Sequence, residues 1–155
     1  MAEHLAVFDC VVLLQSLISE AGPAARCIEL FEQGKFSIAV SRQVISEVRE
    51  VLSRTRLRKR YPLLTDERVD RLIDVLLYRG KLFRRIKRHC EYLRDPYDEV
   101  YLNLAIEARA GFLITRDNDL LDLMKWETEE GREFQKRFRR LKIVDPVAFL
   151  NEIEQ

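Results

Sequence analysis

Few residues of this chain could support histidine or cysteine chemistry. It has two histidines, His4 and His89, and neither lies in a pattern that suggests a catalytic triad, so we interpret both as surface residues. The three cysteines, Cys10, Cys27 and Cys90, are odd in number and have no CxxC spacing. This argues against a disulfide framework and a structural zinc site, and it favours a reducing compartment.

The chain also lacks a charge imbalance and a long apolar segment. Its 27 basic and 26 acidic residues give a net charge of +1, so the total charge indicates no partner. Residues 1–22 include an apolar stretch, but Glu3 and Asp9 interrupt it, no basic leader precedes it, and it is too short to span a bilayer. We therefore expect no membrane association and a cytoplasmic location.

Charge is instead distributed unevenly along the chain. The basic blocks are SRTRLRKRY at 53–61 and RGKLFRRIKRH at 79–89, and the acidic blocks are DPYDE at 95–99 and WETEE at 126–130. These blocks say more about binding than the total charge does.

Alternating apolar patterns predict the fold. A chain of 155 residues, 47% of them hydrophobic, suits one globular domain over 1–155. Short apolar runs predict strands at 5–9, 36–40, 112–115 and 140–144. Helical periodicity and end signals predict helices at 11–18, 22–34, 41–52, 65–79 and 145–155, and a further one between Pro96 and Gly111. The alternation predicts an α/β domain with a mostly parallel sheet, whose ligands lie at the carboxyl ends of the strands.

Acidic residues follow two of these predicted strands. Asp9 ends the first strand, and Asp117 follows Thr115 at the end of FLIT (112–115). If the two strands are adjacent and parallel, both acids lie at the same edge of the sheet. The helix after Ser41 would bring Glu47 towards this edge, and the helix after Pro96 would bring Asp98 or Glu99.

Converging carboxylates repel one another unless a counter-charge is present, and oxygen ligands suit Mg²⁺ or Mn²⁺. A bound divalent cation would therefore explain why these carboxylates converge. Taken singly, Asp95 and Asp119 are explained as well by helix capping, and Glu47 by a solvated helix face.

Two phosphotransfer classes also place acids at strand ends. An aspartyl phosphatase requires a second Asp two residues after the first, where this chain has Val11. A receiver domain requires adjacent acids near the first strand and a Lys after a late strand, and we find neither.

The stretches AVFDCVVLLQSLIS, SRQVISEVREVLSR, RDPYDEVYLNLAIEARAGFLITRDNDLL and KIVDPVAFLNEI resemble the PIN-domain family of metal-dependent ribonucleases, which includes many toxins of toxin–antitoxin pairs. The resemblance implies a three-layer α/β/α sandwich and a Mg²⁺- or Mn²⁺-dependent endoribonuclease. It implies Asp9, Glu47, Glu99 and Asp117 as the catalytic metal ligands. Glu99 is preferred to its neighbour Asp98 by spacing, and Asp119 is an auxiliary ligand.

One position departs from the family pattern. The family usually has Asp-Thr-Asn or Asp-Thr-Ser after the first strand, whereas this chain has Asp9-Cys10-Val11. Val11 removes a polar group that would help to hold the first acid or its metal. A weakened PIN domain that binds RNA or a protein therefore stays open as an alternative.

The remaining expectations concern partners. The basic block at 79–89 suits contacts to RNA phosphates, although a solvated helix face explains it equally well. The candidate RNA-binding residues are Arg84, Arg85, Lys87, Arg88 and Arg116, and the candidate base-stacking residues are Tyr61, Phe83 and Tyr92. The apolar faces of helices 41–52 and 65–79 suggest a homodimer, and the resemblance implies a small antitoxin that enters the acidic site.

Overall fold

A computed structural model of the protein describes residues 4–91 and 95–154. Five strands in this part of the chain form one sheet, in which every pairing is parallel. In chain order they are β1 Leu5–Phe8, β2 Ser37–Val40, β3 Lys81–Leu82, β4 Phe112–Ile114 and β5 Lys142–Val144. Their order across the sheet is β3-β2-β1-β4-β5. The predicted α/β fold with a parallel sheet is therefore confirmed.

Nine α-helices and two short 3₁₀ turns surround the sheet within the described residues. The helices are α1 Cys10–Ile18, α2 Pro23–Glu32, α3 Arg42–Leu52, α4 Thr55–Arg60, α5 Asp66–Arg79, α6 Glu99–Glu107, α7 Asn118–Leu121, α8 Glu129–Arg137 and α9 Pro146–Ile153. The 3₁₀ turns are Pro96–Asp98 and Asp122–Met124. No single described helix is long and apolar enough to cross a membrane, and α1 with α2 meets that test only as a pair bent by 95°.

Helices cover both faces of the sheet. Helix α6 packs against β1, β2 and β4, whereas α9 packs against β4 and α2. On the α9 side, the rings of Phe8, Phe36 and Phe112 each contact Phe149, with centroids 4.9 to 6.1 Å apart. Strands covered on both faces are apolar at every position rather than at alternate ones, which is why they are short apolar runs in the sequence.

Several predicted helix ends are confirmed. The Ser41 hydroxyl accepts a hydrogen bond from the backbone N–H of Val44 at 3.1 Å, and Thr65 accepts one from Arg68 at 3.3 Å. Both side chains thus cap the helices that the sequence predicted behind them.

Most of the basic block at 79–89 is not helical, so the interpretation of this block as a solvated helix face is wrong. Helix α5 ends at Arg79, and the next position requires Gly, because a Cβ at Gly80 would lie 2.2 Å from the carbonyl oxygen of Leu76. The chain then pairs with β2 as β3, where the backbone N–H of Phe83 donates to the Val40 carbonyl at 2.9 Å, and residues 83–91 have no regular secondary structure. Tyr61 and Phe83 pack partly against the core, and Tyr92 lies outside the described residues.

The end of α6 also differs from the prediction. The helix ends at Glu107 rather than at Gly111, and Arg109 adopts a left-handed φ of 54°. The backbone N–H of Ala110 donates to the Ala105 carbonyl at 2.9 Å, and that of Arg109 to Ile106 at 3.1 Å. This is the Schellman pattern, in which the left-handed position is usually Gly.

Helix α2 ends in the same way but with the usual residue. Gly34 has φ 77°, the N–H of Lys35 donates to Leu30 at 3.0 Å, and that of Gly34 to Phe31 at 3.0 Å. A Cβ at Gly34 would meet nothing within 4 Å, so the backbone conformation alone favours Gly there.

We therefore predict opposite effects of exchanging residue types at these two helix ends. Arg109→Gly should raise the free energy of unfolding by about 1 kcal/mol, because it removes the strain of a side chain in the left-handed region. Gly34→Ala should lower it by about 1 kcal/mol for the same reason. Urea denaturation measures both through the midpoint at an unchanged m-value. A destabilised Arg109→Gly protein would contradict the assignment of strain to Arg109.

Candidate metal centre

Strands β1 and β4 bring two acids to the carboxyl edge of the sheet. The strands are neighbours and parallel, with Phe8 opposite Ile114, and the backbone N–H of Asp9 donates to the Ile114 carbonyl at 3.1 Å. Asp9 and Asp117 line the same cavity, which has a volume of about 480 Å³. This confirms that the two strand-end acids lie at one edge. We call the cavity the acid cleft; its acidic lining residues are Asp9, Glu47, Asp95, Asp98 and Asp117.

Asp9 is held by hydrogen bonds in an almost completely buried position. It is 4% exposed, and its Oδ1 accepts a hydrogen bond from the Val12 N–H at 3.0 Å, which caps α1. The Thr115 hydroxyl donates to Oδ2 and also accepts from the Asp117 N–H, at 3.0 Å. Burial raises the pKa of Asp9 to about 6, although the bonds from Thr115 and Val12 lower it and the charge of Asp117 raises it.

Three aspartates form the tightest acidic group in the cleft. One carboxylate oxygen each from Asp95, Asp98 and Asp117 lie within 4.8 Å of one another. Asp95 accepts from the Tyr97 N–H at 3.0 Å and thereby caps the 3₁₀ turn that leads into Asp98. Asp98 is 8% exposed, and burial together with the charge of Asp117 raises its pKa to about 8. Strongly shifted carboxyl groups in a cleft are typical of functional sites.

Helices α3 and α6 add two more oxygens to the cleft. Glu47 on α3 and Tyr101 on α6 both line it. Burial raises the pKa of Tyr101, and the neighbouring Cys10 and Glu47 raise it further. Three buried oxygens of residues that line the cleft have no hydrogen-bond partner among the described residues: Glu47 Oε2, Asp98 Oδ2 and the Tyr101 hydroxyl.

These unpartnered oxygens show how well the cleft suits a divalent cation. A buried polar atom without a partner costs about 1–3 kcal/mol, so such atoms are rare in folded proteins. The candidate ligands are carboxylate oxygens, and such hard ligands suit Mg²⁺ or Mn²⁺ better than zinc. The residues therefore fit a hard divalent cation.

The structure places Glu99 outside this group, contrary to the preference for it over Asp98. Glu99 lines an adjacent cavity of about 650 Å³ and lies 3.0 Å from the Arg88 guanidinium. Consecutive residues at the start of a helix point about 100° apart, so only one of the two can face the Asp117 carboxylate. The third acid of the cluster is Asp98.

The positions of Asp95 and Asp119 relative to the acid cleft could not be predicted from their spacing in the sequence. Asp95 caps a turn and belongs to the acidic group, so the capping interpretation was right but incomplete. The backbone N–H of Asp119 donates to Asp117 Oδ1 at 2.9 Å, and Asp119 is not among the residues that line the acid cleft.

The basic candidates lie in different places. Lys87 and Arg88 line the cavity next to the acid cleft, whereas Arg84, Arg85 and Arg116 are exposed and line neither cavity. The sequence did not single out Arg54, which lines both cavities and pairs with Glu50 at 2.9 Å.

The raised pKa of Asp98 predicts how stability depends on pH in the cation-free protein. An aspartate in an unfolded chain has a pKa of about 3.9, so the folded state binds this proton more tightly than the unfolded state does. The stabilising contribution is complete below about pH 4 and is lost as pH rises through about 8. Asp98→Asn should remove this loss, and should therefore raise the free energy of unfolding near pH 8.

Urea denaturation in EDTA between pH 5 and pH 9 measures this effect. The matched control is Asp74→Asn, which removes the same charge from an exposed position on α5. The prediction fails if the Asp98→Asn and Asp74→Asn proteins show the same change with pH.

The family comparison agrees with this geometry. A sequence model of the family described as PIN domain matches residues 6–119. The match includes every acid of the cleft and ends in α7. No curated protein matches the chain.

Proposed function

The chain belongs to the PIN-domain family, whose members are generally nucleases, and on this premise we propose that it is a Mg²⁺- or Mn²⁺-dependent endoribonuclease. The observation that carries the proposal is the convergence of Asp95, Asp98 and Asp117 within 4.8 Å of one another. They lie at the carboxyl edge of a parallel sheet, where α/β folds bind their ligands.

The proposed cation ligands are the carboxylates of the acid cleft: Asp95, Asp98 and Asp117, which form its tightest group, together with Asp9 and Glu47. These residues would hold a divalent cation, which when bound would supply positive charge at the scissile phosphate and lower the pKa of an attacking water. Burial and the charge of Asp117 raise the pKa of Asp98 and favour its protonated form in the cation-free protein, and positive charge in the cleft would favour the ionised form. The Thr115 hydroxyl holds Asp9 and Asp117 next to each other, because it donates to the Asp9 carboxylate and accepts from the Asp117 N–H.

The substrate side of the proposal rests on the cavity next to the acid cleft. Lys87 and Arg88 line it and can neutralise RNA phosphates, which supply most of the affinity that is independent of base sequence. Tyr97 is 78% exposed and lines both cavities, so its ring is available to stack on a base beside the scissile bond.

The choice between Asp98 and Glu99 gives the sharpest test. Asp98→Asn should lower Mn²⁺ affinity and RNA cleavage by about 100-fold or more, since even residues that only support metal ligands contribute about 10–100-fold. Glu99→Gln, its neighbour outside the cluster, should change either quantity by less than about 10-fold. Calorimetric Mn²⁺ titration and cleavage of a labelled RNA on the same preparations measure both. A larger loss in the Glu99→Gln protein would reject the assignment.

The alternative is a weakened PIN domain that binds RNA or a protein without efficient cleavage. Val11 favours it, because this apolar side chain is 45% exposed and lines the acid cleft where the family has a polar residue. The same Mn²⁺ titration and RNA-cleavage assay distinguish the nuclease from the binding module. Mn²⁺ binding with no cleavage of any RNA would favour the alternative.

We further propose that the protein is the toxin of a toxin–antitoxin pair and forms a homodimer. The structure limits the surface available for the dimer, because α3 and α5 bury most of their apolar residues within the chain. Leu77 and Tyr78 at the end of α5 are exposed, at 45% and 88%. A basic side chain of the antitoxin would pair with the carboxylates of the acid cleft.

Two measurements test these partners. Light scattering should give the mass of a dimer for the wild type and of a monomer after Tyr78→Lys, because a buried unpaired charge opposes association. A monomeric wild type at high concentration would reject the dimer. Co-expression with the neighbouring small reading frame should suppress toxicity, and unchanged toxicity would reject the antitoxin.

A further inference from the structure

Four arginines line a further cavity, which lies at the other end of the sheet from the acid cleft. Arg109 precedes β4, and Arg137, Arg139 and Arg140 precede β5, so they lie near the amino ends of the two strands. The cavity has a volume of about 360 Å³, and Phe138 is part of its lining. We call it the arginine pocket.

The charges of the arginine pocket are not neutralised by neighbouring acids. Arg109, Arg139 and Arg140 form no ion pair with any carboxylate of the described residues. Arg137 donates to the carbonyl oxygen of His89 at 2.7 Å, and its guanidinium lies 4.9 Å from the centre of the Phe138 ring. Four cations around one cavity repel one another, so an anion bound there gains from all of them.

The backbone of Arg109 is a second, independent observation. This residue occupies the left-handed position at the end of α6, with φ 54°, where Gly would be unstrained. A strained residue that the rest of the fold holds in place points to a function for its side chain. Arg109 is exposed and lines the arginine pocket.

Helix α6 connects this pocket to the acid cleft. Asp98 directly precedes its first residue, Glu99, and Arg109 lies two positions after its last residue, Glu107. At about 1.5 Å per residue, the two are about 16 Å apart along the helix axis. The basic segment 87–89 lies beside the same helix. Lys87 N–H donates to Glu107 at 3.2 Å near the end of α6, and Arg88 pairs with Glu99 at its start. The segment also reaches the arginine pocket, because Arg137 donates to the carbonyl oxygen of His89. Lys87 and Arg88 therefore place basic side chains between the two sites, although Glu99 and Glu107 lie beside them.

We propose that the arginine pocket binds the phosphates of a single-stranded RNA whose scissile phosphate lies in the acid cleft. The separation of about 16 Å corresponds to about five nucleotides at about 3.4 Å per stacked nucleotide. The pocket thus selects RNAs that extend at least that far from the cleavage site. This inference rests on the proposed ribonuclease function, because it requires the strand to be held in the acid cleft.

Binding measured without catalysis tests the proposal. Fluorescein-labelled RNAs of about 12 and about 4 nucleotides are titrated in EDTA at several KCl concentrations, with fluorescence anisotropy as the readout. Removal of two phosphate contacts by the double substitution Arg139→Ala and Arg140→Ala should reduce the salt slope for the long RNA by about 1.4. This corresponds to about 25-fold weaker binding of the long RNA at 0.1 M salt.

The matched control removes the same charge elsewhere. Lys35 and Arg71 are exposed and do not line the arginine pocket or either cavity at the carboxyl edge. The double substitution Lys35→Ala and Arg71→Ala should leave both RNAs bound as in the wild type. Arg109→Gly should weaken binding of the long RNA while it raises the melting temperature, a combination that a purely structural role for Arg109 would not produce.

Each outcome decides between the proposals. Equal salt slopes for the arginine and control variants overturn the arginine pocket as an RNA site, even if the wild type cleaves RNA. A wild type that cleaves no RNA with Mn²⁺ rejects the proposed function, and the binding comparison then reports on the pocket alone. A polyglutamate peptide that binds more tightly than RNA through the same arginines would show that the ligand is an acidic protein segment instead.

Discussion

The hydrogen bond from the Thr115 hydroxyl to the Asp9 carboxylate joins β4 to β1 at the carboxyl edge of the sheet, and the acid cleft depends on it. Thr115 is completely buried and Asp9 is 4% exposed, so neither group can find an equivalent partner in water. Hydrogen bonds to charged groups contribute about 1.5–3 kcal/mol, which offsets part of the cost of burying the carboxylate. Because the same hydroxyl accepts the Asp117 N–H, this one side chain sets the spacing between the two strand-end acids.

Helix capping and cation binding are compatible roles for the acids of this cleft. Asp9, Asp95 and Asp117 each accept a backbone N–H at the start of a helix or 3₁₀ turn. Such bonds favour the charged form of a carboxyl group. Asp98 makes no capping bond, and its pKa is raised further than that of Asp9. The capping bonds therefore fix three of the acids in place, whereas no such bond holds Asp98.

The charges of the protein are segregated around α6, although the net charge is close to zero. Acids lie at its amino end and arginines at its carboxyl end, an arrangement that also suits the helix dipole. The extended segment 83–91 lies beside the helix because the Asn103 side chain accepts the backbone N–H groups of His89 and Cys90, at 2.8 and 2.9 Å. Asn103 therefore fixes the basic segment between the acidic and the basic end of the helix.

The sequence by itself determined the parallel α/β sheet, the caps Ser41 and Thr65, and the shared edge of Asp9 and Asp117, because local patterns of apolar and capping residues specify strands, helix starts and strand ends. It could not decide between Asp98 and Glu99, since adjacent residues point about 100° apart and the turn capped by Asp95 sets which of them faces Asp117. It also gave no sign of the arginine pocket, because Arg109 and Arg137–Arg140 are separated in the chain and meet only where β4 and β5 pair. Local patterns follow from neighbours in sequence, whereas these sites follow from contacts between distant segments, which only the tertiary structure decided.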